Sequence, residues 1–170
     1  GQIYGTDPTT PLNLDPNATP LVNHGGFLRA NGGGTLILHG GTYVGGVIEA
    51  LPDSNVVVKS AVVIQDALVS GSSAGVVSLA GIPITLDDVA TLGSVVAEDA
   101  ADVRLKNVIH NEGTLTLRSA GTNVNVRAEA SDVVLTGGGE IHLDASASDR
   151  NWVYAVTGAT ITNGATGIHG

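Results

Sequence analysis

The 170-residue sequence contains no cysteine and no methionine, and aromatic residues supply only 3% of it. Without cysteine the fold cannot depend on disulfides and the chain cannot misoxidise during export, which is consistent with an extracytoplasmic setting. A sandwich core filled by large aromatic rings is excluded because the chain has only one phenylalanine and one tryptophan. A core of Val, Ile, Leu and Ala instead suits a narrow tube in which each layer of side chains packs on the next.

Basic residues are also scarce, with 7 Lys and Arg against 16 Asp and Glu, for a net charge of −9. A nucleic-acid partner needs a concentrated cationic face, so none is predicted. Electrostatic docking to an anionic membrane surface is disfavoured for the same reason. No apolar run approaches the roughly 18 residues of a membrane helix, so membrane insertion is not predicted either.

The most regular feature present is an apolar ladder in which pairs of Leu, Val or Ala, separated by one residue, recur about every twenty residues. Alternate residues of a strand point the same way, so each pair marks one strand of a stack. This period is too short for a strand–helix–strand unit and predicts a chain that winds once per repeat. The pairs are Leu36/Leu38, Val56/Val58, Val77/Leu79, Val95/Ala97, Leu115/Leu117, Val133/Leu135 and Val153/Ala155.

The pattern predicts an all-β, right-handed, single-stranded parallel β-helix of about seven rungs with 19–20 residues each, spanning residues 31–170. A second apolar set is predicted to form another ladder; its members are Ile48, Leu68, Ile84, Val103, Val124, Ile141 and Ile161. Residues 1–30 carry four prolines and are predicted to be an irregular leader or an N-terminal cap, with Phe27 plugging the open end of the tube. No signal peptide is evident in residues 1–20, and residues 167–170 begin another step, so a piece of a longer repeat protein is expected.

Several stretches resemble repeats of secreted bacterial surface proteins of the filamentous-haemagglutinin and autotransporter-passenger type. They are residues 31–43 (NGGGTLILHGGTY), 46–50 (GVIEA), 111–117 (NEGTLTL), 135–143 (LTGGGEIHL) and 159–163 (ATITN). The resemblance implies a right-handed parallel β-helix and a non-catalytic structural or adhesive segment, secreted or on the bacterial cell surface, whose partner is an extracellular surface or polysaccharide. The alternative is a carbohydrate-binding or polysaccharide-degrading β-helix such as a phage tailspike.

Candidate chemistry is sparse, and neither a catalytic residue nor a cofactor is predicted. Catalysis on a polysaccharide would need facing carboxylates, and the nearest acidic cluster comprises Asp87, Asp88, Glu98, Asp99, Asp102 and the neighbouring Arg104. The glycine runs lack the aspartates of calcium-binding solenoid repeats. The five histidines fall on separate repeats without His-x-His spacing, so no metal site is predicted.

Trp152 and Tyr154 form the one aromatic pair in strand alternation. They alternate with the inward Val153 and Ala155, so both rings should be exposed on one face. Two exposed rings in this arrangement can stack on a sugar, and they are the predicted ligand-binding residues. A packing contact with a neighbouring loop or chain is the alternative.

The last predicted rung, near Ile161, has only a short glycine-rich tail after it. Its unpaired strand edge predicts end-to-end self-association unless the tail caps it.

Overall fold

The computed structural model describes residues 1–145 and 150–170, which form nineteen β-strands wound into a parallel β-solenoid. Every strand pairing in this part of the chain is parallel, and the pairings divide the strands among three faces. From Leu36 to Ile168 the chain completes about six turns, close to the predicted seven rungs. No helix in the described ranges has the length and apolar character needed to cross a membrane.

The first face carries the predicted ladder. It consists of β2 (Leu12–Leu14), β5 (Thr35–Leu38), β8 (Asn55–Val58), β11 (Val76–Leu79), the end of β12 (Ile84–Ala97), β14 (Thr114–Ser119), β16 (Glu140–Ala145) and β19 (Gly167–His169). Leu36, Val56, Val77, Val95 and Leu115 are partners in one stack, as predicted, and all are buried.

The second and third faces share three long strands that bend around a corner. The second face holds β3 (Leu21–Val22), β6 (Gly41–Val44), β9 (Val62–Gln65), the starts of β12, β13 (Asp102–Asn111) and β15 (Val124–Thr136), and β17 (Asn151–Ala155). The third face holds β1 (Gln2–Gly5), β4 (Phe27–Ala30), β7 (Val47–Ala50), β10 (Leu68–Gly71), the later parts of those three strands, and β18 (Ile161–Asn163).

The predicted first ladder assigns the wrong partners to the residues after Leu115. Leu115 stacks on Ile141, whereas Val133 lies on the third face opposite Asn107 and Val153 lies on the second face opposite Val126. Each turn has 18–21 residues between Leu36 and Leu115, whereas the two turns after Leu115 have 26 and 27 residues. A prediction that assumes a constant period of about twenty residues therefore selects the wrong partner for Leu115.

The predicted second ladder mixes residues of different faces. Ile48 stacks on Val69 rather than on Leu68 in the third face, while Ile84 and Val103 are partners in the second face. Val103 in turn stacks on Val126, not on Val124. Each turn has three short faces, whereas two predicted ladders imply only two. The residues assigned to the second ladder therefore lie on more than one face.

Residues 1–30 contain four strands that continue the stack, so strand pairing begins at Gln2 and shows no break at residue 31. Phe27 does not fill the bore, because the inward side chains of β4 are the fully buried Leu28 and Ala30. The Phe27 ring lies outside, with the Arg29 guanidinium 4.6 Å from its centre. That guanidinium also forms an ion pair with Glu49 on the next turn.

Tyr43 is the one aromatic side chain among the buried hydrophobic residues of the described core. Its hydroxyl lies 2.8 Å from the carbonyl oxygens of both Leu14 and His39, and so joins two successive turns at a corner. Burial, assisted by the negative charge of Asp15, raises the pKa of the Tyr43 hydroxyl well above its usual range.

This shift predicts an alkaline loss of stability that Tyr43→Phe should remove. The unfolded tyrosine releases its proton near pH 10 while the folded one keeps it, so the free energy of unfolding should fall by about 1.4 kcal/mol per pH unit above that value. Urea unfolding between pH 8 and 11 measures this slope. The Phe variant should be less stable by about 1 kcal/mol at pH 8 and should show a shallower alkaline slope; equal slopes would contradict the assignment.

Candidate functional site

Trp152 and Tyr154, here called the aromatic platform, project from β17 on the second face. The strand alternates half-buried Asn151, Val153 and Ala155 with the exposed rings, as the sequence predicts. Trp152 is 45% exposed and Tyr154 is 37% exposed. Because two large rings stay in contact with water here, this surface offers apolar area that the core does not use.

Parallel register places polar groups next to the platform. Asn125 is the partner of Trp152, and Arg127 is the partner of Tyr154. Asn125, Trp152 and Tyr154 line one shallow depression of about 400 Å³. The surface therefore combines two ring faces with an amide that can both donate and accept hydrogen bonds.

An ion-pair network of Asp102, Arg104, Arg127 and Glu129, here called the Asp102 cluster, lies beside the platform. Arg127 donates from Nε to Asp102 Oδ1 and from Nη2 to Asp102 Oδ2, both at 2.9 Å. Arg104 Nη1 lies 2.8 Å from Glu129 Oε2, and weaker contacts of 3.4 Å join the other two pairs.

The Asp102 cluster contains two positive and two negative side chains, so it carries no net charge. Hydrogen bonds to Asp102 raise the pKa of the Arg127 guanidinium, and the negative charges of Asp102 and Glu129 add to this increase against the opposing effect of burial. Since each guanidinium already has carboxylate partners, the surface beside the platform favours a neutral ligand over an anionic one.

The acidic residues predicted as one cluster are separated in the structure. Asn107 Nδ2 donates to Asp87 Oδ1 at 2.7 Å and to Asp88 Oδ2 at 3.1 Å, so these two acids brace a corner. Asp102 instead belongs to the arginine network. Sequence spacing places Asp87 and Asp88 one rung from Asp102 on one face, but the register pairs Asp87 with Lys106, four residues along β13 from Asp102.

The remaining acids of that predicted cluster also have structural partners. Glu98 accepts a hydrogen bond from the Ser78 hydroxyl of the previous turn. Asp99 accepts hydrogen bonds from the backbone N–H groups of Ala120 and Thr122, and these bonds lower the pKa of the Asp99 carboxyl. The acids thus hold turns and corners together.

The structure also brings together two histidines that sequence spacing placed on separate repeats. His142 and His169 are partners on the last two strands of the first face, with ring centres 5.9 Å apart and planes inclined at 72°. The missed signal is the Ile-His dipeptide at 141–142 and again at 168–169, although a third Ile-His, at 109–110, lies on another face and weakens that signal.

A carboxylate supports the first of these histidines. His142 Nε2 lies 2.7 Å from Glu140 Oε2, and this hydrogen bond is the main reason that the pKa of the Glu140 carboxyl is lowered. Within residues 1–145 and 150–170, no group of three or more His, Asp or Glu side chains is already arranged to hold a metal ion.

The fold and these surfaces define a parallel β-solenoid that carries an aromatic platform and an ion-pair network on one face. Comparisons with protein-family models, with curated proteins and with solved structures found no match.

Proposed function

We propose that this chain is a non-catalytic structural and adhesive β-solenoid segment of a secreted or cell-surface bacterial protein. The observation that carries the proposal is the continuous register of buried side chains from Leu36 through Leu115 to Ile141. Parallel backbone hydrogen bonds join each turn to the next, and a continuous apolar core fills the bore. Such a rod is suited to hold a binding surface at a distance from its anchor.

The aromatic platform supplies the adhesive surface in this proposal. Pyranose rings present C–H faces that stack on Trp and Tyr, while the Asn125 amide can bond to sugar hydroxyls. The neutral Asp102 cluster next to the platform makes an uncharged polysaccharide the favoured partner. Its short ion pairs also hold Arg127, the register partner of Tyr154, in one position.

Polysaccharide cleavage is a second candidate that one observation favours. Glu112 and Glu140 line the same open groove, along the corner between the third and first faces. Each has a histidine beside it, at 3.0 Å for His110 and 2.7 Å for His142. Two carboxyl groups in one groove are the minimum that glycoside hydrolysis requires.

Replacing the platform by Trp152→Ala and Tyr154→Ala together should weaken polysaccharide binding without unfolding the rod. Each exposed ring contributes stacking of about 1 kcal/mol, so we expect at least a tenfold loss of affinity. Binding of the 170-residue chain to a panel of neutral and uronic-acid polysaccharides, measured by affinity electrophoresis, provides the readout. Val22→Ala, at a residue that is 64% exposed on the same face but several turns away, is the matched control.

The same panel separates the two candidates. A spacer with an adhesive platform should bind neutral polymers and release no reducing ends on prolonged incubation. Release of reducing ends that stops in Glu112→Gln and Glu140→Gln would instead establish cleavage. Undiminished binding by the double platform variant would remove the platform from the proposal.

A further inference from the structure

His142 and His169 stand on adjacent parallel strands and point to the same side of the first face. Both rings line one pocket of about 380 Å³, together with Thr116 and Asp144. The pocket is therefore bounded by two imidazoles, a carboxylate and a hydroxyl, all of which are groups that ligate or support metal ions. None of them belongs to the aromatic platform or to the Asp102 cluster.

The separation of the two rings suits a shared ion. Imidazole nitrogens bind zinc at about 2.0–2.1 Å, which places the two ring centres roughly 5 to 6 Å apart for tetrahedral or wider N–metal–N angles. The observed distance between ring centres is 5.9 Å. Rotation of the rings about their side-chain bonds is thus sufficient, and the backbone of the two strands need not move.

Glu140 orients one of the two ligands. Its carboxylate holds Nε2 of His142 at 2.7 Å, which leaves Nδ1 as the nitrogen that can bind a metal. A carboxylate hydrogen-bonded to the far nitrogen of a ligating histidine fixes the ring and makes it a better donor.

Gly167 makes room for the other ligand. A Cβ atom at this position would stand 2.7 Å from Nε2 of His169. Any larger residue would displace the His169 ring from its place above Glu140, the register partner of Gly167.

We propose that His142 and His169 bind one divalent transition-metal ion, such as Zn²⁺, between the last two strands of the first face. Water completes the coordination from the open side of the pocket, which Asp144 also lines. Imidazole ligands favour Zn²⁺, Ni²⁺, Co²⁺ and Cu²⁺, whereas Mg²⁺ and Ca²⁺ prefer sites built of oxygen atoms. The bound ion would link β19 to β16, the adjacent strand of the preceding turn.

Titration calorimetry of the untagged 170-residue chain with zinc chloride tests this site. We expect saturable binding of one ion per chain, and no binding of magnesium or calcium at the same concentrations. His142→Ala and His169→Ala should each weaken zinc binding at least tenfold. His110→Ala is the control, since His110 is also half-exposed and also contacts a glutamate but lies on the third face.

Two further measurements test the zinc site even if an alanine variant does not fold. Gly167→Val retains both imidazoles and should weaken zinc binding by displacing one ring. In the wild-type chain, zinc should shift the ring-nitrogen NMR signals of His142 and His169 and leave those of the other three histidines in place. Absence of saturable binding, binding retained after loss of both histidines, or signal shifts confined to the other histidines would overturn the proposal.

Discussion

Gly93→Ala is expected to be among the most damaging single substitutions in the core turns. Gly93 has a φ angle of +67°, and an added Cβ would lie 1.7 Å from the carbonyl oxygen of Gly71 on the previous turn. The left-handed backbone costs an alanine about 1 to 2 kcal/mol, and the overlap with a backbone that cannot rotate away adds about 1 to 3 kcal/mol. The thermal midpoint should fall by roughly 10 °C, at the 2–4 °C per kcal/mol expected for a chain of this size.

Gly138→Ala is the matched control for that experiment. Gly138 lies at the same corner of the solenoid, on the groove that Gly93 also lines. Its nearest neighbour for an added Cβ is Glu112 Oε2 at 3.8 Å, and its φ angle is not in the left-handed region. The expected change is within about 0.5 kcal/mol. Equal losses in the two variants, measured by urea unfolding, would show that close contact between turns is not what requires Gly93.

Asn111→Ala should destabilise the solenoid by about 3 to 5 kcal/mol, because it leaves several buried polar groups without partners. Asn111 is only 3% exposed and lies in the inward stack of the third face. Its Oδ1 accepts a 2.6 Å hydrogen bond from the Thr91 hydroxyl of the previous turn, and its Nδ2 donates to the Glu140 carbonyl at 3.1 Å on the following stretch. One amide therefore links three successive levels.

A double-mutant cycle with Thr91→Val separates this role from simple loss of volume. Thr91→Val alone leaves the amide oxygen with only the longer, 3.3 Å hydrogen bond from the Gly113 N–H, and should cost about 1 to 2 kcal/mol. The cycle therefore uses Asn111→Leu, alone and together with Thr91→Val. The double variant replaces both partners by apolar groups, so its loss should be smaller than the sum of the losses in these two single variants. Asn55→Ala, on the exposed side of β8, should be nearly neutral. Additive losses in the cycle would contradict a direct Thr91–Asn111 coupling.

The part of the fold that sequence predicted well is the part with a constant period. The stack from Leu36 to Leu115 is correct because apolar alternation identifies inward positions directly, and its turns have nearly equal lengths. The sequence pattern pairs Leu115 with Val133 because Val133 also belongs to an alternating apolar pair, Val133/Leu135. Alternation shows which side of a strand faces the core, but it does not show which of three faces the strand occupies.

The candidate sites divide in the same way. The exposure of Trp152 and Tyr154 is predictable from the sequence, because both residues alternate with the inward-facing Val153 within one strand. The Asp102–Arg127 pair and the His142–His169 pair depend on register between turns of unequal length. No local pattern contains that register, which is why both groups came only from the structure.

The lengthening of the turns has an evolutionary consequence. One residue separates Leu105 from Asn107 on one turn, whereas four separate their partners Ala128 and Val133 on the next. The inserted residues sit at the bend between two faces, and the flanking strands keep their pairing. Because a longer loop adds only about 0.6 kcal/mol per doubling of its length, insertions at such bends can accumulate while the rise per turn stays at the strand spacing of about 4.8 Å. New surface chemistry can thus be acquired at the corners of the rod without redesign of its interior.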